Sequence, residues 1–440
     1  MNKNRIKYIL LFIFFFGCLI LFFSMNRGDC YINYGFSYAI AKGEIPYQDF
    51  NVILPPLSMY LYSILLFIHN SIIIIYLEQA LLLTILMYFI FELLKKKGYI
   101  FLLVLTIFFP IAFSTILFPS YNFLLILELI ILIYLEKNKK SDYLIGLLLG
   151  LMFCTKHTIG IIMFIPTIYY LFKDRKVFIK RLLGYLISIF ILLIYLLITN
   201  TLYKFIDLCF LGLFSFGNHN VEIDPYYLTL LIIGIIINIY YIFKDKKNIT
   251  NYYILAFSTI AIPLAEFYHV SLYLLALSYL IINNINVKDK YINPIKIFIV
   301  LNAFLGTLTT FLFLGDTKIN NYKHLKGIIE RENYLQTIDQ INEYLDNKKV
   351  IYLARGSENY YFKIINEKKL DYYDLTNYGN YGYNGEQKLL NKLKKEKDTY
   401  YLLDETVKID NQYIQEIYEY ITTHSELKKK FKNYHIYYKK

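Results

Sequence analysis

The sequence predicts an α-helical polytopic membrane protein with about eleven transmembrane helices and a small water-soluble α/β domain at its C-terminal end. Three observations predict it. Hydrophobic residues fill 57% of 440 positions and mean hydropathy is +0.41. They are gathered into runs separated by short basic loops, and that character stops after residue 314. A soluble fold would have to hold many of these side chains against water, whereas a bilayer accepts them on the outside of the bundle.

The first run, Tyr8 to Phe23, follows Lys3, Arg5 and Lys7. A signal peptide starts in the same way, but Ser24-Met25-Asn26-Arg27 gives no small-x-small cleavage site, so we read a retained first helix. Further runs predict helices at about 72–93, 99–113, 122–135, 143–155, 159–172, 182–200, 227–243, 251–265, 270–283 and 297–314. Some fall short of the ~20 residues that span a bilayer and are expected to extend into their flanks.

The formal charge of +12 is a topology signal rather than a nucleic-acid face. One set of alternating loops comprises the N-terminus, Lys95 to Lys97, Lys137 to Lys140, Lys173 to Arg181, Lys244 to Lys247, and Lys288 to Lys296. It holds 20 basic residues, against four in the opposite set: Arg27, Lys42, Lys156 and Lys204. The positive-inside rule then makes the N-terminus cytoplasmic, and an odd helix count puts residues 315–440 outside. The setting this implies is a bacterial cytoplasmic membrane. The cysteines, Cys18, Cys30, Cys154 and Cys209, show no metal-ligand or CxxC spacing, and the tail has none.

The chain is expected to divide into a membrane domain, 1–314, with a long first outer loop at 24–71, and an outer α/β domain, 315–440. In the tail, residues 321–346 read as a helical connector and Lys349 to Ala354 as a strand. A helix at about 358–367, a strand near Leu370 to Tyr373 and a glycine-, asparagine- and tyrosine-rich loop, Asn377 to Gly385, follow. A helix at 386–397, a strand Thr399 to Asp404, a helix at about 411–423 and a last strand near His435 to Tyr438 complete it. The alternation predicts a small parallel or mixed sheet. The loop has no nucleotide-binding spacing; it reads as a turn-rich connection or as a surface of tyrosines for a saccharide.

Asp29 comes a few residues after the first helix. A carboxylate at the membrane boundary suits a general base that takes a proton from an attacking hydroxyl; it also suits a solvated helix cap. Lys156-His157 falls between two apolar runs on the basic-poor side. An ammonium there can neutralise a lipid phosphate or snorkel to headgroups.

Asp29, Tyr31, Gly35, Gly43, Pro46-Tyr47-x-Asp49-Phe50 and Pro55-Pro56, followed by Gly146 to Gly160 (GLLLGLMFCTKHTIG), resemble the glycosyltransferase C superfamily. The likeness is to protein O-mannosyltransferase relatives, aminoarabinose lipid A transferases and rhizobial core transferases, and it covers about residues 1–310. It implies inverting transfer of a sugar from a polyprenyl-phosphate donor to an envelope glycan, lipid or protein acceptor. It places Asp29 at the catalytic acidic position, and Tyr47 and Asp49 in a substrate-contacting motif.

The sequence departs from that pattern in three places. Cys30 stands where many relatives have Glu, Ile53 and Leu54 stand where a Glu-Lys pair precedes the proline, and the loop near 114–121 lacks an expected acid. Lys156, with His157 and Arg27, is the replacement cation set for the donor phosphate. His219, Glu222 and Asp224, and separately Glu266 and His269, are suited to a divalent cation or to acceptor contacts, without a specific ligand spacing. A flippase or transporter, or a ligase of lipid-linked precursors, is the alternative function. The first would be expected to show internal repeats, and the second a large outer loop late in the bundle.

Overall fold

The computed structural model describes residues 3–22, 28–69, 72–95, 120–214, 223–262, 264–284, 328–353, 381–405 and 412–440. The chain forms two compact units. One takes in Met1–Asn26, Pro56–Leu193 and Glu222–Asp316, the other Arg27–Pro55, Ile194–Val221 and Thr317–Lys440. The second unit therefore gathers residues 27–55 of the first long loop and the 194–221 segment with the tail.

The apolar runs become helices close to where the sequence puts them, and the 24–71 segment, read as a loop, adds two more: α1 (Lys3–Phe22), then α2 (Gly28–Ala41) and α3 (Leu57–Ser63) in that segment, then α4 (Ile72–Leu94), α5 (Tyr121–Lys137), α6 (Asp142–Thr155) and α7 (His157–Phe164). A 3-10 turn and a last helical turn carry α7 on to Lys173. Then come α8 (Arg175–Ile198), α9 (Leu202–Ile206), α10 (Pro225–Lys244), α11 (Ile249–Phe257) and α12 (Phe267–Asn284). The expected helices at 99–113 and 297–314 lie outside the described residues. Among those described, Ile74–Leu94, Arg175–Ile198 and Pro225–Lys244 are long and apolar enough to cross a membrane. Their outward surface is apolar, with Phe190, Ile191 and Ile236 each at least 60% exposed. That is the surface of a helical membrane protein.

Small residues set the closest helix packing. Gly146 and Gly150 lie one turn apart on α6 against the backbone of α8 at Arg181 and Tyr185, while Gly184 of α8 lies against Tyr143 and Leu147. Ser188 Oγ donates to Leu147 O at 2.9 Å, and the Cys154 thiol reaches Ser188 O at 3.6 Å. Lipid offers no hydrophobic drive between helices, so such backbone contact is what holds the pair. Gly160 of α7 lies against the Phe153 backbone, so α7 packs directly on α6.

Basic residues of this unit converge on one end. Lys7 Nζ pairs with Glu92 at 2.8 Å, and Lys137 Nζ donates to Leu93 O and Asn283 Oδ1, both at 3.0 Å. Arg181, 3% exposed, is bound by Glu136 at 2.5 Å and Asp142 at 2.9 Å. Glu78 and Glu128 are only 5% and 4% exposed, inside the bundle as the cost of lipid-facing charge requires.

In the second unit the tail opens with α13 (Ile328–Leu345). Strand β1 (Val350–Leu353), α14 (Gly385–Lys395), β2 (Thr399–Asp404), α15 (Gln412–His424), β3 (Glu426–Phe431) and β4 (Tyr434–Lys439) follow. The sheet order is β1-β2-β4-β3, with β1 parallel to β2 and the other pairs antiparallel. Alternation sorts its faces. Ile351, Leu353, Tyr401 and Leu403 meet α14 and α15, while Tyr352, Leu402 and Ile436 meet α13. The expected helix at 358–367 and strand near 370–373 lie outside the described residues. Strand β3 was not expected: its Lys428–Lys430 run is an edge charge pattern, which blunts pairing with another chain.

The tail is pinned to the segment after α9, where a π-helical turn, Asp207–Leu211, bears Asp207. The Asp207 carboxylate accepts from Tyr383 N at 3.1 Å and from Lys388 Nζ at 3.0 Å. Gly382, at φ +79°, leaves room for it; a Cβ there would collide with the carboxylate. The Asn377 to Gly385 loop, where described, is thus a docking turn.

A Cβ at Gly150 would sit 2.6 Å from both Ser188 Cβ and Tyr185 O. We expect Gly150→Val to destabilise the α6–α8 pair by about 1–3 kcal/mol, the usual cost of overpacking. Thermal unfolding in detergent, read beside a Gly17→Val control with open space around it, measures this.

Candidate functional site

The site is built first within the membrane unit. Helices α5 and α6 run in opposite directions through the short turn 138–141, so the end of α6 comes beside the start of α5. Lys156 interrupts the helix there: at φ −150° and ψ 101° it is the single extended residue between α6 and α7. Its N–H closes α6 onto Met152 O at 2.9 Å, and its carbonyl accepts from Gly160 N at 3.0 Å. The side chain is half-buried, with its ammonium 5.4 Å from the Tyr121 ring centroid. Among the described residues no carboxylate or other acceptor pairs with that ammonium. Burial pushes the amine down, to about 8. His157, the next residue, is 2% exposed, with its ring against Phe153.

Polar groups lace this end together. Ser120 caps α5, accepting from Phe123 N at 3.1 Å, and its hydroxyl meets Tyr268 OH at 3.1 Å. Glu266 caps α12: Oε2 accepts from Tyr268 N at 3.0 Å and Oε1 from His269 N at 3.1 Å. His269 Nδ1 lies 2.6 Å from Glu266 Oε1, and its Nε2 lies 3.4 Å from Asn122 Nδ2. Burial raises the Glu266 carboxyl while these bonds lower it, and the net direction is down. A turn further in, Thr155 Oγ1 donates to Glu128 Oε1 at 2.9 Å. Asp224 caps α10 through Tyr226 N at 2.8 Å, and Asp224 N ties the segment to Ala265 O at 3.1 Å.

These contacts bring together two of the sequence-derived sets. Asp224, Glu266 and His269 reach the end of the bundle that carries Lys156, but the two carboxylates are engaged as helix caps and His269 is held by Glu266. Among the described residues no group of three or more His, Cys, Asp or Glu is placed to hold a metal ion. His219, Glu222 and Arg27 lie outside the described residues. Sequence reasoning missed Ser120, Tyr121 and Asn122; the polar triplet at the start of an apolar run was the signal.

Residues 27–55 of the first long loop belong to the other unit. Asp29 falls in the first turn of α2, and its side chain lies outside the described residues. The Pro46-Tyr47-x-Asp49-Phe50 motif closes on itself: Tyr47 N donates to Phe50 O at 2.9 Å and Asp49 Oδ2 accepts from Ile45 N at 2.8 Å. Tyr47, at φ +69° and 0% exposed, gives its hydroxyl to Leu54 O at 2.5 Å and packs on Phe205. A side chain with no exposed surface has no face to offer a sugar in this arrangement, so Tyr47 is a loop-building residue here.

No family model matches the sequence, and no curated protein matches it. A crystal structure does. The chain has the fold of ArnT. In the structure of ArnT from Cupriavidus metallidurans bound to undecaprenyl phosphate, 97% of that chain superposes on 99% of this one, with a TM-score of 0.61 and 10% sequence identity. The helical membrane architecture expected from the apolar runs is thereby met. At this identity the likeness to ArnT is one of fold.

Glu266→Ala removes two backbone caps and the partner of His269 together. Loss of an N-cap costs about 1 kcal/mol, more where a second buried group loses its partner, so we expect destabilisation of about 1–3 kcal/mol. Thermal unfolding checks it, with His269→Gln expected to show the smaller loss.

Proposed function

We propose that this protein is a membrane glycosyltransferase that moves a sugar from a polyprenyl-phosphate donor to an envelope glycan, lipid or protein acceptor on the outer face of a bacterial cytoplasmic membrane. The observation that carries this reading is Lys156. An ammonium with no counter-ion among the described residues, half-buried where two helices break, is a costly arrangement that an incoming phosphate would relieve. The shared fold supports it, since the ArnT structure contains undecaprenyl phosphate.

Chemically, the transfer needs a base, an electrophilic carbon and a stabilised leaving group. The acceptor hydroxyl attacks the anomeric carbon and its proton passes to the Asp29 carboxylate. The bond from that carbon to the phosphate oxygen breaks, and its electron pair leaves with the polyprenyl phosphate. Attack opposite the leaving group inverts the configuration. Lys156 stays charged beside the departing phosphate, with Arg27 and His157 as further candidates for the same anion. Glu266, His269 and Asp224 hold the helix ends that frame Lys156, and their place in acceptor or cation binding follows only if their caps open.

Asp29→Asn is expected to abolish transfer while leaving membrane levels unchanged. Sugar composition of envelope glycans decides it, comparing the native strain, a deletion, and the deletion complemented with wild type or Asp29→Asn. Full restoration by Asp29→Asn would sink the base assignment and move a flippase or ligase ahead.

Lys156 yields a pH prediction. Its amine titrates near 8 because burial disfavours the charged form, so the phosphate-binding ammonium is present below that pH and lost above it. Polyprenyl-phosphate affinity should therefore fall as pH rises from 7 to 9. Lys156→Arg, charged throughout, should flatten the decline, and Lys156→Ala should weaken donor use by roughly 10- to 100-fold, as loss of a charge-assisted bond does. A pH profile identical in wild type and Lys156→Arg would remove Lys156 from the phosphate.

A further inference from the structure

The other end of the membrane unit holds a cavity of about 440 Å³. Lys137, Lys139, Lys140, Arg181 and Lys247 line it, against two carboxylates, Glu136 and Asp142. Both carboxylates are taken by Arg181. Among the described residues no carboxylate pairs with Lys139, Lys140 or Lys247, so the cavity carries an excess of cations that its own acids do not offset.

Arg181 makes this a built site rather than a scatter of surface lysines. It is 3% exposed, and the Tyr170 ring covers its guanidinium at 4.3 Å. Its Nε donates to Asp142, Nη1 to Glu136 and to Tyr253 OH at 3.3 Å, and Nη2 to Glu136 at 3.1 Å. Tyr170 is a further hydrogen-bond partner, so the guanidinium is spent on Glu136, Asp142 and two tyrosines and takes both acids away from the lysines. Asn248, Ile249 and Thr250, the start of the nine-residue helix α11, also line the cavity, and the amide end of a helix favours an anion. Ile145, Val177 and Leu280 give the remaining wall an apolar character. A basic rim above an apolar wall at the end of a transmembrane bundle suits the headgroup of an amphiphile.

We propose that this cavity binds a phosphate-bearing anion presented by a lipid of the surrounding leaflet. Lys139, Lys140 and Lys247 hold the phosphate, and Arg181 keeps Glu136 and Asp142 from neutralising them. The volume exceeds what one inorganic phosphate fills, so a phosphodiester headgroup with the start of its chains is the better occupant. The site is remote in the fold from Lys156, and its occupancy is independent of whether the protein transfers sugar.

The test is native mass spectrometry of the full chain released from nanodiscs of phosphatidylcholine containing a minority of phosphatidylglycerol, read as bound phosphatidylglycerol per protein. Wild type should retain the anionic lipid. Lys139→Gln/Lys140→Gln/Lys247→Gln should lose roughly fivefold in affinity per lysine, about a hundredfold together. A control, Lys176→Gln/Lys180→Gln/Lys244→Gln, removes three exposed lysines that do not line the cavity and should stay within about threefold of wild type. Equal losses in the two triple variants would reduce the effect to general membrane charge and overturn the site. Pyrophosphate in purely phosphatidylcholine nanodiscs is the second arm. Its binding to wild type with loss in the first triple variant would keep the phosphate site but overturn the lipid source, and binding of neither probe would overturn both.

Discussion

A charge inside a bilayer must be paired or moved to an end, and this cost arranges the membrane unit. The basic loops collect at one end, where Glu92, Glu136 and Asp142 answer Lys7 and Arg181. Glu78 and Glu128 stay within the bundle, the latter held by Thr155. Lys156 breaks the pattern. It stands at a helix break on the basic-poor end, facing an aromatic ring and, among the described residues, no acid, which is why it draws the functional reading.

A helix break is tolerated beside lipid only where neighbours re-satisfy the backbone. Lys156 meets that condition through Met152 and Gly160, and the glycine contacts of α6 with α7 and α8 keep the break in place. The first turns of α5, α10 and α12 are capped by Ser120, Asp224 and Glu266. Three polar residues that sequence reading could offer as ligands or leave unmarked are thus spent on amide groups that lipid cannot satisfy.

The second unit shows the same division of labour. The Pro46 to Phe50 motif carries the family resemblance, yet its described residues build a loop: Tyr47 is wholly enclosed, and Asp49 holds the Ile45 amide. Tyr47 also meets Phe205 and, through its hydroxyl, the Cys209 thiol at 3.9 Å, while Asp207 two residues earlier grips the tail. A fold can be kept by such residues while the chemistry varies, which fits a chain that shares 10% of its residues with ArnT and nearly all of its length.

The helices from α4 to α12, the short α9 excepted, were legible because each crossing needs a long apolar run, and runs are local. The strands at Val350 and Thr399 were legible for a similar reason, since alternation and flanking turns are local too. Helix α2 and strand β3 were not. The first lies in a polar outer loop without helical apolar spacing, and the second is a lysine-rich edge whose partner, β4, supplies the pairing. Lys156 was legible as a cation on the wrong side. That it faces Tyr121 with no acid among the described residues, that Glu266 and Asp224 cap helices, and that Arg181 takes both acids of a basic cavity were decided only by the fold. Those facts are contacts between residues far apart in the chain, and a sequence holds the groups but not the distances between them.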